Sequence, residues 1–235
     1  MKLIPITLPE SIQADLNLIP LTRRLVIYDF ETTGLSPEKD RPIQAAVIVI
    51  EKDGTASAGS CFIKAHKLLS DLIIQLTGIT EDILTAEGLE YEDVMHEMAK
   101  IFRLLEPGTT HRPSETTLIG HNSIKFDWEF MKAFVLGKYI RPDDLRMFDT
   151  AGHFKAELLN MQKPKLEGWS AFHRRVLDIR AKGVKFNLAL ACEHYGVQAD
   201  GAHRADADVL MTLGVFLKQC IKMQAPVPEP DKTTN

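Results

Sequence analysis

Two carboxylates one residue apart, Asp29 and Glu31, stand where the apolar run Leu25-Val26-Ile27-Tyr28 gives way to Thr32-Thr33-Gly34. Such a run reads as a buried central strand. Side-chain alternation then places Asp29 and Glu31 on one face and Phe30 on the other. Two negative charges at the edge of a core repel each other and lose hydration. A hard divalent cation such as Mg²⁺, held by carboxylate oxygens, relieves both costs. The competing reading is a strand that ends in polar residues at a turn.

Three later positions can complete a metal site. Asp127 closes the stretch His121-Asn122-Ser123-Ile124-Lys125-Phe126-Asp127, just inside an expected helix. A first-turn carboxylate there also suits the helix dipole without any ligand. The stretch His203-Arg204-Ala205-Asp206-Ala207-Asp208 supplies a histidine and two carboxylates. On one continuous helix a five-residue step turns about 140°, so His203 and Asp208 converge only if His203 lies in the loop before the helix. Spacing alone leaves Asp206 and Asp208 as rivals. A histidine beside carboxylates can titrate near neutral pH and serve as a base.

The elements that must position these groups alternate between strand and helix. Strands are expected at 43–51 and 57–64 around the Asp53-Gly54 turn, and a short one at 116–120 leads into His121-Asn122. Short helices follow Ser70 and Thr80, and an amphipathic one covers 91–105, stopped by Pro107-Gly108. A polar loop over 109–115 follows, then a helix over 124–136 ended by Gly137. A strand at 145–148 exits through Asp149-Thr150, which can cap a helix to about 161, and two helices close the domain at 186–195 and 205–223, separated by Gly196 and Gly201. Residues 1–24 read as an extension along the domain, 25–223 as the domain, and 224–235 as a disordered proline-rich tail. Residues 162–185 are basic, with only Glu167 and Asp178 opposing seven Lys and Arg. This segment either tracks a phosphate backbone with Trp169 or Phe172 on a base, or is a solvated stretch holding a buried aromatic.

The 235 residues, 45% hydrophobic and 26% charged, are enough for one substantial α/β domain. The formal charge of −4 gives no general attraction to nucleic acid, so such binding must come from local basic groups and bound metal. Cys61, Cys192 and Cys220 show no CxxC spacing and support neither a disulfide framework nor a zinc site. Prolines interrupt the N-terminal stretch and no long apolar run is present, so a cytoplasmic protein with no membrane partner is expected.

Taken in order, three motifs resemble the DEDDh (DnaQ-like) family of 3′–5′ exonucleases, which includes proofreading subunits, ribonuclease T and exonuclease I. They are Asp-x-Glu at 29–31, Asn-x-x-x-Phe-Asp at 122–127, and His-x-Ala-x-x-Asp at 203–208. The three-residue spacing between Asn122 and Phe126, and Gln44 where most relatives carry Glu, make the chain most similar to the nuclease domain of exonuclease I. With the domain expected to close near residue 223, the further C-terminal domains of that enzyme are expected to be lacking.

The resemblance implies an RNase H-like α/β fold, a mixed five-stranded sheet flanked by helices. It implies two divalent cations, Mg²⁺ with Mn²⁺ able to substitute, held by Asp29, Glu31, Asp127 and Asp208, with Asp29 bridging. His203 is the implied general base, and Asp208 rather than Asp206 the ligand. Phe30, Thr32, Thr33, Gly34, Leu35, Ile79 and Asn122 are the implied contacts to the 3′ nucleotide, with ordinary core packing as the other reading for Leu35 and Ile79. The implied reaction is release of 5′-mononucleotides from single-stranded nucleic acid, DNA favoured over RNA. An RNA-trimming or polymerase-proofreading exonuclease is the alternative, and a silent nucleic-acid-binding module is set against the intact acidic set. A polymerase or homodimer partner would leave no distinctive mark in the sequence.

Overall fold

The computed structural model describes residues 1–104, 115–135, 146–199 and 204–224. Its frame is a mixed sheet built from β1 (Ile4–Pro5), β2 (Arg24–Thr32), β3 (Pro42–Ile50), β4 (Ala56–Phe62), β5 (Thr116–Gly120) and β6 (Arg146–Asp149), in the order β1-β4-β3-β2-β5-β6. The sheet has six strands rather than the expected five. The extra one comes from the N-terminal extension, where Ile4 and Pro5 pair antiparallel with Ala58 and Ser57. Pro5 lacks an N–H and is tolerated there because β1 is an edge.

β2, β3 and β4 form an antiparallel meander, whereas β5 runs parallel to β2 and β6 parallel to β5. The C-terminal ends of β2, β5 and β6 therefore meet at one end of the sheet. That end is where open α/β sheets with parallel strands bind ligands.

Alternation along β2 divides the core. Val26, Tyr28 and Phe30 face α4 (Tyr91–Ile101) and α5 (Asp127–Val135), packing with Met95, Met98, Phe102 and Phe130. Leu25 and Ile27 face the other layer, where α9 (Ala205–Gln224) lies over β2 and β3 through Val209, Leu213 and Leu217. The N-terminal residues join this second layer. Leu8 and α1 (Glu10–Leu16) bury Ile12 and Leu16 against it, and Asp15 pairs with Lys218 of α9 at 2.8 Å.

The short elements follow their capping signals. Ser70 and Thr80 accept from Ile73 N–H and Ile83 N–H to start α2 (Asp71–Thr77) and α3 (Glu81–Glu87), and Gly78 ends α2 in the left-handed region at φ 69°. Asp149 caps α6 (Thr150–Leu158), Asn187 caps α8 (Leu188–Tyr195), and Gly196 ends α8 at φ 65°.

The basic stretch 162–185 contains a helix the sequence did not suggest, α7 (Trp169–Asp178). Phe172 is buried in it, and Trp169 packs among Phe148, His153 and His173. Phe172 therefore serves the core and offers no face to a base. Within the segment Arg175 is matched by Glu167 at 2.7 Å, while Asp178 pairs outside it with Lys125 at 2.6 Å.

Pro107-Gly108, the loop to 114, Gly137, Leu145, Gly201, His203 and the tail from 225 lie outside the described residues. Among the described residues, no helix is long and apolar enough to cross a membrane.

Candidate active site

The end of β2 delivers Asp29 and Glu31 to the α9 side of the sheet, as alternation requires, and the first turn of α9 brings Asp208 to them. One carboxylate oxygen from each of the three lies within 4.8 Å of the others. All three residues are half-buried. Oxygen-only donors at that spacing match a hard divalent cation.

The electrostatics of this cluster are one-sided. Burial drives the Asp29 carboxyl well above the ordinary carboxylate range, and the charges of Asp127, Asp208 and Glu31 push it further the same way. Glu31 is raised to about 7 by burial and by Asp208. These shifts mark like charges crowded in a poorly hydrated place, the condition a bound cation relieves.

Asp127 is fully buried at the start of α5, and its Oδ1 accepts the backbone N–H of Phe30 at 3.0 Å. It thus ties α5 to the same strand that carries Asp29 and Glu31. Burial raises its carboxyl to about 8, against the pull of the Phe30 amide. The structural and metal-facing readings of Asp127 are compatible, since one oxygen anchors the helix while its charge reaches Asp29.

The structure separates Asp206 from Asp208. Two residues on a helix are about 200° apart, so only one of the pair can face β2. Asp206 is exposed and meets the guanidinium of Arg204 at 3.2 Å, while Asp208 faces the carboxylates.

The expected substrate contacts divide. Thr32 and Thr33 are buried at the turn after β2, and Leu35 stands 84% exposed beside them, free to meet a ligand. Asn122 follows β5 at φ 61°, a conformation asparagine tolerates better than most residues. Phe30 and Ile79 lie in the core. Phe30 packs in the core with Tyr28 and Phe102 because alternation turns it from its acidic neighbours, so only its backbone is left for this end of the strand. Ile79 is 3% exposed, enclosed by Ile43, Leu69 and Leu84, and serves packing.

Residues 26–216 match the sequence profile of the RNase_T family, described as exonuclease. The chain belongs to this exonuclease family. The exonuclease is 30% identical over 208 residues to the 3′-5′ exonuclease DinG of Bacillus subtilis, covering 88% of this chain and 19% of that protein. It is 26% identical over 200 residues to DNA polymerase III PolC-type of Mycoplasmopsis pulmonis, covering 85% of this chain and 12% of that one. The chain thus spans a fifth or less of these curated relatives. In fold it matches E. coli exonuclease I in complex with a dT13 oligonucleotide, with a TM-score of 0.62 at 21% identity, over 83% of this chain and 40% of that one. The zinc ion bound form of the E. coli ExoI–ssDNA complex gives 0.64 at 21% identity, over 86% and 41%. The architecture of the exonuclease is accordingly the RNase H-like one.

Sequence reasoning missed Asp40 in this exonuclease and saw only half of what Asp149 does. The Asp40 carboxylate accepts from Ser36 N–H at 2.9 Å and Thr33 Oγ1–H at 3.1 Å, and pairs with Lys67, closing the loop that presents Leu35. Gly34 has to be glycine here, since a Cβ would meet that carboxylate at 2.6 Å. Asp149 caps α6 as expected, and it also accepts from the backbone N–H groups of Asn122 and Ile124 at 3.0 and 2.9 Å. It therefore shapes the loop that leads to Asp127. Its signal, an aspartate at a strand end before a helix, shows the cap but not the distant amides.

Proposed function

We propose that this chain is a metal-dependent 3′–5′ exonuclease that hydrolyses phosphodiester bonds at the 3′ end of single-stranded DNA and releases 5′-mononucleotides. The observation that carries the reading is the convergence of the Asp29, Glu31 and Asp208 carboxylates in a half-buried place. The DinG relative, named as a 3′-5′ exonuclease, supports the polarity, and the exonuclease I complexes with oligonucleotides support a single-stranded substrate.

In this reading Asp29, Glu31 and Asp208 would hold one Mg²⁺, and Asp29 with Asp127 would serve a second. Asp29 suits the shared position because it is the carboxylate on which Asp127, Asp208 and Glu31 all act. Two such cations, when bound, stabilise the attacking and leaving oxygens of an in-line displacement. The segment Thr32, Thr33 and Gly34 and the exposed Leu35 receive the terminal nucleotide, with Asn122 a further contact. His203, immediately before Arg204 and five residues before Asp208, takes the proton of the attacking water. The PolC-type relatives favour one second reading, a proofreading exonuclease working beside a polymerase.

The test is to incubate 5′-labelled DNA and RNA of one sequence with the protein, adding Mg²⁺, Mn²⁺ or a chelator. The expected result is a ladder of shortened 5′-labelled DNA, slower shortening of RNA, and none with chelator. Intact oligonucleotides in every lane would overturn the reading.

A further inference from the structure

We propose that Gln44 is a positioning residue for the metal site: its side-chain amide caps α9 from across the sheet and so sets where Asp208 stands against Asp29 and Glu31. This rests on the metal-dependent reading of those carboxylates.

A helix leaves its first N–H groups without intrahelical partners, and a side-chain acceptor near the start of the chain segment usually meets one of them. α9 cannot use the residue just before it. Arg204 has only donors on its side chain and turns them to Asp206. The Arg204 carbonyl accepts from Ala207 and Asp208 N–H at 2.9 Å each, whereas the Ala205 N–H, at the first position of the helix, has no acceptor within it. It finds Gln44 Oε1 at 3.3 Å, a buried contact between residues 161 positions apart.

Gln44 is suited to this by place and by charge. It is the direct antiparallel partner of Glu31 on β3, so its side chain rises from the sheet on the same face, beneath the start of α9. It is 2% exposed, with Oε1 toward the start of α9 and Nε2 at 3.4 Å, a long contact, from Ser60 Oγ on β4. A neutral acceptor caps the helix without adding a further carboxylate beside Glu31. The local backbone also favours a fixed placement. The β2–β3 register shifts between Glu31 and Thr32, so Ile43 is an extra residue on β3, and such a bulge aims the neighbouring side chains.

The required accuracy explains why one hydrogen bond matters. Asp208 lies three residues beyond Ala205, in the same helical turn. A slip of α9 by one residue rise is about 1.5 Å, whereas metal–ligand distances tolerate about 0.2 Å. The apolar contacts of Val209, Leu213 and Leu217 hold α9 on the sheet but are non-directional. The Gln44 bond supplies direction along the helix axis.

The experiment measures Mn²⁺ binding by calorimetry and amide exchange at Ala205 in the wild-type chain, Gln44→Met, Gln44→Glu and Ser60→Ala. Met keeps the volume of Gln without its acceptor, and Glu keeps the acceptor. Gln44→Met is expected to weaken Mn²⁺ binding about tenfold and to speed exchange at Ala205, as follows for a ligand moved out of a geometry that tolerates only about 0.2 Å. Gln44→Glu is expected to keep exchange at Ala205 slow, because the acceptor remains, and Ser60→Ala to leave Mn²⁺ affinity within about twofold, because it removes only a long contact. Wild-type Mn²⁺ affinity in Gln44→Met, or Ala205 exchange equally fast in the Met and Glu variants, overturns the proposal. If Gln44→Met does not fold, the wild-type exchange rate decides, since an Ala205 amide exchanging like an uncapped helix end also overturns it. Failure of the metal-dependent reading looks different, because the wild-type chain then binds no Mn²⁺ at all.

Discussion

Two groups of buried carboxylate lie at the same end of the sheet and are treated in opposite ways. Asp149, fully buried at the end of β6, is met by the N–H groups of Asn122, Ile124 and Gly152 at 2.9–3.0 Å. Those amides oppose the effect of burial and leave its carboxyl at about 6. Asp29, at the end of β2, is acted on by burial and three neighbouring carboxylates, all in the same direction. The fold satisfies Asp149 with its own backbone, and Asp149 in turn fastens the loop leading to Asp127. It crowds Asp29, Glu31 and Asp208 together at a cost in stability that a bound divalent cation would relieve.

The contrast breaks most visibly under neutralisation of each side. Asp29→Asn is expected to lower cleavage of a single-stranded oligonucleotide by about 10³-fold or more, the scale of losing a central electrostatic element of a transition state. The metal-free variant should melt no lower than the wild type at pH 8, because a repulsive charge has gone. Asp149→Asn should do the reverse in stability. It places an amide donor against backbone donors and is expected to cost about 3 kcal/mol in denaturant unfolding. Stability losses of similar size in both variants would erase the distinction.

The pH dependence sharpens the same point. Glu31 and Asp127 bind protons more tightly in the folded chain, at about 7 and about 8, than carboxyls do in an unfolded one. Between the unfolded and folded values the native state holds more protons, so stability falls as pH rises. The metal-free chain is therefore expected to lose melting temperature from pH 6 to pH 8.5, and Mn²⁺ to restore more at pH 8.5 than at pH 6. A melting temperature that rises over this range, or Mn²⁺ stabilisation that is equal at both ends, would contradict the crowded-carboxylate picture.

The smallest effect belongs to Asp206. Its partner Arg204 is exposed, and surface pairs of this kind contribute about 0–1 kcal/mol. Asp206→Ala should leave the cleavage rate within about twofold, which a steady-state assay resolves. A loss comparable to that of an Asp208→Ala variant would reverse the assignment of the two.

Much of the acidic site was legible because its logic is local. Asp29 and Glu31 share a face by the period of a strand, and capping residues such as Ser70, Thr80 and Asp149 announced their helices. The misreadings fell where contacts across the fold override local pattern. Residues 162–185 looked like one basic stretch because their charge hid the apolar stripe of Phe172, His173 and Val176 that buries α7. For Ile79 the sequence left nucleotide contact and core packing both open, because nothing nearby in the chain shows that Ile43 and Leu84 enclose it. The sixth strand was missed because two residues, one of them proline, carry no strand signal until β4 offers them an edge.

By itself the sequence determined which chemistry is possible here. It set the carboxylate pair on β2, the later aspartates and histidine in family order, and the α/β alternation that carries them. Tertiary structure decided which residues stand together. It turned Asp208 inward and Asp206 to Arg204, bonded Asp127 to Phe30, and brought Gln44 beneath Ala205. The physical reason is that carboxylate type and local period are properties of the chain, whereas convergence within a few ångströms depends on how a helix lies on a sheet more than 150 residues away in sequence.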